Sequence, residues 1–187
     1  MGCLVWENMT NSDITLKRWP YLLGNLAPDL AYSFTFKLHS YVQCGERFRK
    51  LLRKLFVCEN GNNSVWLSFC SGVLSHYICD FFCYAHTDVF KGKVREHIKY
   101  EKSQVVRAEE MLCFNTTRYK NCNYSELIKV IEDYLTMHSH MLTTKVKMSE
   151  YDIPLAVYVA TWALSMIHRN SVKMNEIGSL RSPLLSA

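Results

Sequence analysis

Apolar residues recur along the chain at helical spacing, and no long run of alternating apolar and polar residues indicates a strand. The pattern predicts helices over Ile14–Leu26 (interrupted near Pro20), Glu46–Cys58, Ser64–Tyr84, Lys91–Cys113 and Ser125–Met141, and a last helix that begins near a capping-box variant formed by Ser149 and Asp152 and runs to about Met174. Turns or loops are predicted at Gly24–Pro28, Asn60–Asn63 and Asn115–Asn123. The sequence therefore predicts an all-α fold, with about six helices in one domain over residues 1–176 and a flexible tail over 177–187.

Three of the predicted helices differ in which faces are apolar. Ser64–Tyr84 is apolar nearly all round and is expected to be the central helix. Glu46–Cys58 has one apolar face and one face rich in arginine and lysine, which is typical of a helix on the protein surface. Ile153–Ile167 is almost wholly apolar but falls short of the roughly 20 residues that a membrane span needs, so we expect a core helix there.

Side chains that bind metals are concentrated between residues 76 and 101. His76 and Asp80 are four residues apart, as are His97 and Glu101, so each pair lies on one face of its helix. His86 lies between the two pairs, and Asp29 and His39 lie upstream. Nitrogen and oxygen ligands of this kind suit zinc or a similar divalent ion, and clustered ions of this type commonly hydrolyse phosphate esters.

Asp80 is the strongest single indication of a cation. It lies four residues after His76 on the helix that is expected to be buried. An ionised carboxylate is costly to bury without a compensating charge or strong hydrogen-bond donors. The position therefore predicts that a metal ion lies beside Asp80.

The charge and the cysteine content indicate which partners and which cellular compartment to expect. The 187-residue chain carries a net charge of +5 and 8 cysteines. No basic run is dense enough to indicate nucleic acid binding, whereas a mild positive charge favours a phosphate group or an anionic lipid surface. No secretory signal is seen in residues 1–11, so we expect reduced thiols in a cytoplasmic protein that contacts membranes only peripherally.

The ligand pattern resembles the bacterial zinc-dependent phospholipase C family. The resemblance is carried by the motif Leu23-Gly24-Asn25-Leu26-Ala27-Pro28-Asp29, by His39, by Gly72-x3-His76-x3-Asp80-x5-His86 and by His97-x2-Tyr100-Glu101. It covers residues 20–105 and implies an all-helical domain around a metal cluster, like that of the phospholipase C and P1 nuclease folds.

The resemblance also implies a role for each ligand. One ion would be held by Asp29, His39, His76 and Asp80. A second would be held by His86, His97 and Glu101. Asp29 would also act as the general base, and Phe36 would line the headgroup pocket.

The third metal site and the choline pocket of the family are not matched. In secreted members a third metal uses the equivalent of Asp80, a nearby histidine and the N-terminal amine, but the first 38 residues here contain no histidine. We therefore expect about two zinc ions. Leu30 stands where the family has an aromatic residue, which argues against an aromatic cage for choline.

The expected function is hydrolysis of a phosphodiester by a metal-activated water that attacks the phosphorus of a phospholipid headgroup ester. Two alternatives stay open. One is a metal-dependent phosphatase or phosphodiesterase that acts on a soluble substrate. The other is a helical module that a metal stabilises without turnover.

Overall fold

The computed structural model describes residues 2–10, 16–32, 40–56, 64–108, 122–143 and 151–181. These residues form seven α-helices and no strand: α1 (Gly2–Thr10), α2 (Arg18–Tyr32), α3 (Tyr41–Phe56), α4 (Ser64–Phe81), α5 (Val94–Ala108), α6 (Tyr124–Thr143) and α7 (Asp152–Arg181). A short 3₁₀ turn, Tyr84–His86, lies between α4 and α5. The predicted all-α class is confirmed.

Helix α1 was not predicted from the sequence. Its nine residues are fewer than an isolated helix needs to be stable in water, so its stability comes from packing. Val5 and Met9, which are one helical turn apart, are completely buried, and the Met9 sulfur lies 3.8 Å from the Ser165 hydroxyl of α7. Long-range contacts of this kind leave little trace in a ten-residue window of sequence.

Helix α4 is the central helix, as its apolar sequence predicted. Helices α1, α2, α3 and α7 all pack against it, and its C-terminal half, from Cys70 to Phe81, is buried at every position except Val73. The second buried segment is Ile153–Ile167 of α7, the predicted core segment, which contributes many side chains to the same core. None of the described helices combines the length and apolarity that crossing a bilayer requires.

The predicted turn at Gly24–Pro28 is wrong, because α2 continues through both residues to Tyr32. A Cβ atom at Gly24 would collide with the carbonyl oxygen of Phe69, and one at Gly72 would collide with the carbonyl oxygen of Tyr21. The two glycines therefore let the backbones of α2 and α4 come into direct contact. This packing outweighs the local preference of glycine and proline for a turn.

The remaining boundaries differ from the predicted ones by a few residues. Helix α3 begins at Tyr41 and α5 at Val94, while α7 continues to Arg181, five residues past the predicted domain boundary at 176. The division into domain and tail stays a prediction. The predicted turn at Asn60–Asn63 and residues 115–121 of the predicted loop lie outside the described residues.

Candidate metal centre

The first cluster of the candidate site is Asp29, His76 and Asp80. Helix α4 places His76 and Asp80 one turn apart, and Asp80 Oδ2 lies 3.0 Å from His76 Nε2. The same nitrogen lies 3.6 Å from Asp29 Oδ1, which comes from α2. The contact between α2 and α4 that Gly24 and Gly72 allow therefore brings Asp29 to the buried pair. Asp29 itself stays largely exposed, with 65% of its side-chain surface accessible.

The second cluster is His86, His97 and Glu101. His86 is buried in the 3₁₀ turn, and the other two side chains come from α5. Glu101 Oε1 lies 2.9 Å from His86 Nε2 and 3.0 Å from His97 Nε2. One ligand atom from each residue falls within 4.8 Å of the others, so the three side chains could hold one metal ion.

The two clusters form one continuous row, because Asp80 lies between them. Asp80 Oδ2 is 3.0 Å from His76 and 3.6 Å from Nδ1 of His86. Carboxylates and imidazoles alternate along the row: Asp29, His76, Asp80, His86, Glu101, His97. A carboxylate with an imidazole on either side is suitably positioned to bridge two cations.

The carboxylates of the site stabilise positive charge on their neighbours. Burial opposes the charged form of His76, but the hydrogen bond and charge of Asp80 together with the charge of Asp29 outweigh it and raise the His76 pKa. Burial is likewise outweighed at His86, whose pKa is raised by Asp80 and Glu101. The hydrogen bond from His86 is the main cause of a lowered pKa at Glu101. The carboxylates therefore create a strongly negative environment that a metal cation can neutralise.

The donor set fits zinc. Three imidazoles and three carboxylates supply nitrogen and oxygen ligands, and zinc binds both at about 2.0–2.2 Å in tetrahedral geometry. Two ligands of one such ion are roughly 3.3 Å apart by that geometry. The contacts of 2.9–3.6 Å between neighbouring donors along the row are close to this separation.

Two of the predicted site residues, His39 and Phe36, lie outside the described residues. The other six candidate ligands are all in the row. Their individual roles stay predictions.

Sequence reasoning missed Asp152 as a residue of the site. Its side chain is buried at the start of α7, where Oδ2 accepts hydrogen bonds from the Tyr84 backbone N–H at 2.6 Å and from the Tyr100 hydroxyl at 2.5 Å. Its other oxygen lies 3.1 Å from Nε2 of His138, which is equally buried. Burial and the hydrogen bond to Asp152 both raise the Tyr100 pKa. Asp152 therefore contacts both segments that carry the second cluster.

A cavity of about 240 Å³ lies beside His86. Its walls include Tyr41 of α3, Phe81 of α4 and Leu135 of α6, together with His138. The cavity is mostly apolar around one candidate metal ligand, which is a common composition for a pocket that binds part of a substrate.

Comparison with known proteins connects this geometry to one family. Residues 4–152 match the family model described as zinc-dependent phospholipase C. Neither the curated proteins nor the solved structures include a match. The matched region contains all seven candidate ligands and ends at Asp152. The chain therefore belongs to the zinc-dependent phospholipase C family.

Proposed function

We propose that the protein hydrolyses a phospholipid at the phosphodiester bond on the glycerol side of the headgroup. In this reaction a water oxygen forms a bond to phosphorus, the bond from phosphorus to the glycerol oxygen breaks, and that oxygen leaves with a proton. The observation that supports the proposal best is the continuous row of three carboxylates and three imidazoles in a chain of this family. Phospholipase C activity is what the family implies.

About two zinc ions are proposed for the site. His76, Asp80 and Asp29 would hold the first, with His39 as a further ligand, and the second cluster would hold the other. When bound, zinc supplies Lewis-acid activation of water and of a phosphoryl oxygen. Two divalent ions against three carboxylates leave a net positive site, which favours a phosphodiester anion and the charge that develops during the reaction.

Asp29 is proposed as the general base that takes the proton from the attacking water. It is the most exposed carboxylate of the row, whereas Asp80 is buried between two imidazoles. An exposed carboxylate at the edge of the cluster can reach a water that the buried one cannot. A general base must lie within hydrogen-bond reach of the proton that it removes, directly or through one water.

A phospholipid is the proposed substrate, with the protein docking transiently on a membrane. Phe36 is proposed to line the headgroup site, and the cavity beside His86 offers space for one part of the lipid. The cytoplasmic location that the sequence predicts is retained as a proposal. No specific contact among the described residues favours a soluble phosphate ester instead.

The test is hydrolysis of phospholipid vesicles by the zinc-loaded protein, followed by phosphorus NMR of the released headgroup phosphate. Asp29→Asn should abolish the release while leaving the protein folded. Asp133→Asn is the matched control, because Asp133 is an exposed aspartate of α6 outside the site. Hydrolysis of a soluble phosphate ester offered in a parallel assay, with phospholipid untouched, would favour the soluble substrate, and no turnover of either would favour a structural metal module.

A further inference from the structure

Helix α2 exposes a continuous apolar face to solvent. The exposed fractions are 73% for Trp19, 59% for Leu23, 55% for Leu26 and 68% for Leu30. At 100° per residue these four positions fall within an arc of roughly 60°. The buried residues of α2, among them Tyr21, Gly24 and Pro28, lie on the opposite side of the helix, where Tyr21 and Gly24 pack against α4. We call the four exposed residues the α2 apolar face.

This arrangement differs from that of an ordinary surface helix, which presents polar residues to water. An exposed face that is apolar instead occurs where a helix lies in the plane of a membrane interface. Its leucines then insert among the acyl chains, and its tryptophan lies at the level of the headgroups. Phe69 of α4, whose carbonyl oxygen lies against Gly24, is also partly exposed and adds to the apolar surface beside α2.

The charges next to the α2 apolar face suit an anionic lipid. Lys17 and Arg18 are both exposed at the start of the helix, directly before Trp19. There is no acidic residue in the first turn, and Asp29 is the only acidic residue in the helix. The cationic end can contact phosphate groups while the leucines contact acyl chains, which is the combination that gives stable interfacial binding.

The α2 apolar face also continues directly into the candidate metal centre. Leu30 follows Asp29, whose carboxylate lies 3.6 Å from His76. The exposed edge of the site and the end of the apolar face therefore share one helical turn. A bilayer that contacts Leu30 is brought close to the proposed base.

We propose that the α2 apolar face docks on an anionic phospholipid surface, with Trp19, Leu23, Leu26 and Leu30 at the interface and Lys17 and Arg18 against the headgroups. The inference rests on the proposed function, since it locates the surface by which a phospholipid hydrolase reaches its substrate. A second copy of this chain is the other occupant that such a face could take, and the experiment distinguishes the two.

The experiment compares zinc-loaded wild-type protein with Leu23→Gln/Leu26→Gln. Each protein is sedimented with vesicles of phosphatidylcholine that contain a minority of phosphatidylserine. Losing two inserted leucines should weaken binding by at least about tenfold. The matched control is Val94→Gln/Met137→Gln, which changes two exposed apolar residues of α5 and α6 and should bind like wild type. Lys17→Gln/Arg18→Gln should weaken binding to these vesicles but not to pure phosphatidylcholine.

Three further measurements make the outcome decisive. Zinc content and hydrolysis of a short-chain, monomeric phospholipid should be unchanged in the Leu23→Gln/Leu26→Gln protein. If the Leu23→Gln/Leu26→Gln protein binds vesicles as well as wild type does, the proposal is overturned. It is also overturned if wild type is a dimer and this variant a monomer, because the α2 apolar face would then be a surface for self-association. Vesicle binding that depends on α2 without any phospholipid hydrolysis would leave docking intact and refute the proposed function instead.

Discussion

The Tyr100 hydroxyl donates a 2.5 Å hydrogen bond to Asp152 Oδ2, although 52 residues separate the two in sequence. The same oxygen accepts the backbone N–H of Tyr84. Tyr84 opens the turn that carries His86, and Tyr100 directly precedes Glu101. One buried carboxylate therefore links α7 to both segments that supply the second cluster.

Asp152 is expected to act as a positioning residue for that cluster. Asp152→Asn keeps the shape but removes the charge, and Tyr100→Phe removes one donor. Groups that orient metal ligands typically affect metal affinity by about 10–100-fold. Both variants should therefore bind zinc at the second cluster less tightly than wild type, and Asp152→Asn should lose more affinity than Tyr100→Phe. The measurement is zinc titration against a competing chelator.

Tyr134→Phe on α6 is the matched control, since its ring packs against Tyr158 of α7. It should leave zinc affinity unchanged. If both Asp152→Asn and Tyr100→Phe keep wild-type zinc affinity, Asp152 has no positioning role.

The stability that zinc adds to the fold should grow as pH rises, because the metal-free fold loses a histidine contribution over the same range. Raised pKa values at His76 and His86 stabilise the metal-free fold below the ordinary histidine value of 6.5, and this contribution is lost as pH rises through the raised values. The lowered Glu101 pKa adds stability above its ordinary value of 4.5, which is lost as pH falls through the lowered value.

Zinc requires neutral imidazoles, so its binding strengthens as pH rises. The difference in Tm between zinc-loaded and metal-free protein should therefore widen between about pH 6 and about pH 8, the range in which histidines titrate. Calorimetry of both forms across this range measures it. A difference that narrows with rising pH would disagree with metal binding through these histidines.

The close contact between α2 and α4 should be sensitive to a single methyl group. Gly24→Ala and Gly72→Ala each place a Cβ against a carbonyl oxygen of the opposite helix, which cannot move as a flexible side chain can. Overpacking of this kind costs about 1–3 kcal/mol in the free energy of unfolding. Gly45→Ala is the control, because the nearest atoms to its Cβ belong to a side chain, the Tyr41 ring, and lie 3.3 Å away rather than in direct collision. Denaturant unfolding should show a clear loss for the first two and little for the third.

The sequence predicted the parts of the structure that depend on local spacing. His76 with Asp80 and His97 with Glu101 meet because residues four apart share a helical face, and α4 is central because it is apolar all round. Gly24 was misinterpreted because its role depends on the Phe69 carbonyl of another helix, where close packing rather than chain reversal requires glycine. Asp152 was missed for the same reason, since no local pattern connects it to Tyr84 and Tyr100.

Zinc content per chain tests the metal centre most directly. Protein purified without chelator should contain about two zinc ions by mass spectrometry, and Asp80→Asn should lose much of that metal, because Asp80 lies between His76 and His86. Asp133→Asn, the exposed control on α6, should keep the wild-type content. Wild-type protein with less than about half an equivalent of metal, or an Asp80→Asn protein with unchanged metal content and Tm, would contradict a metal centre at this row of side chains.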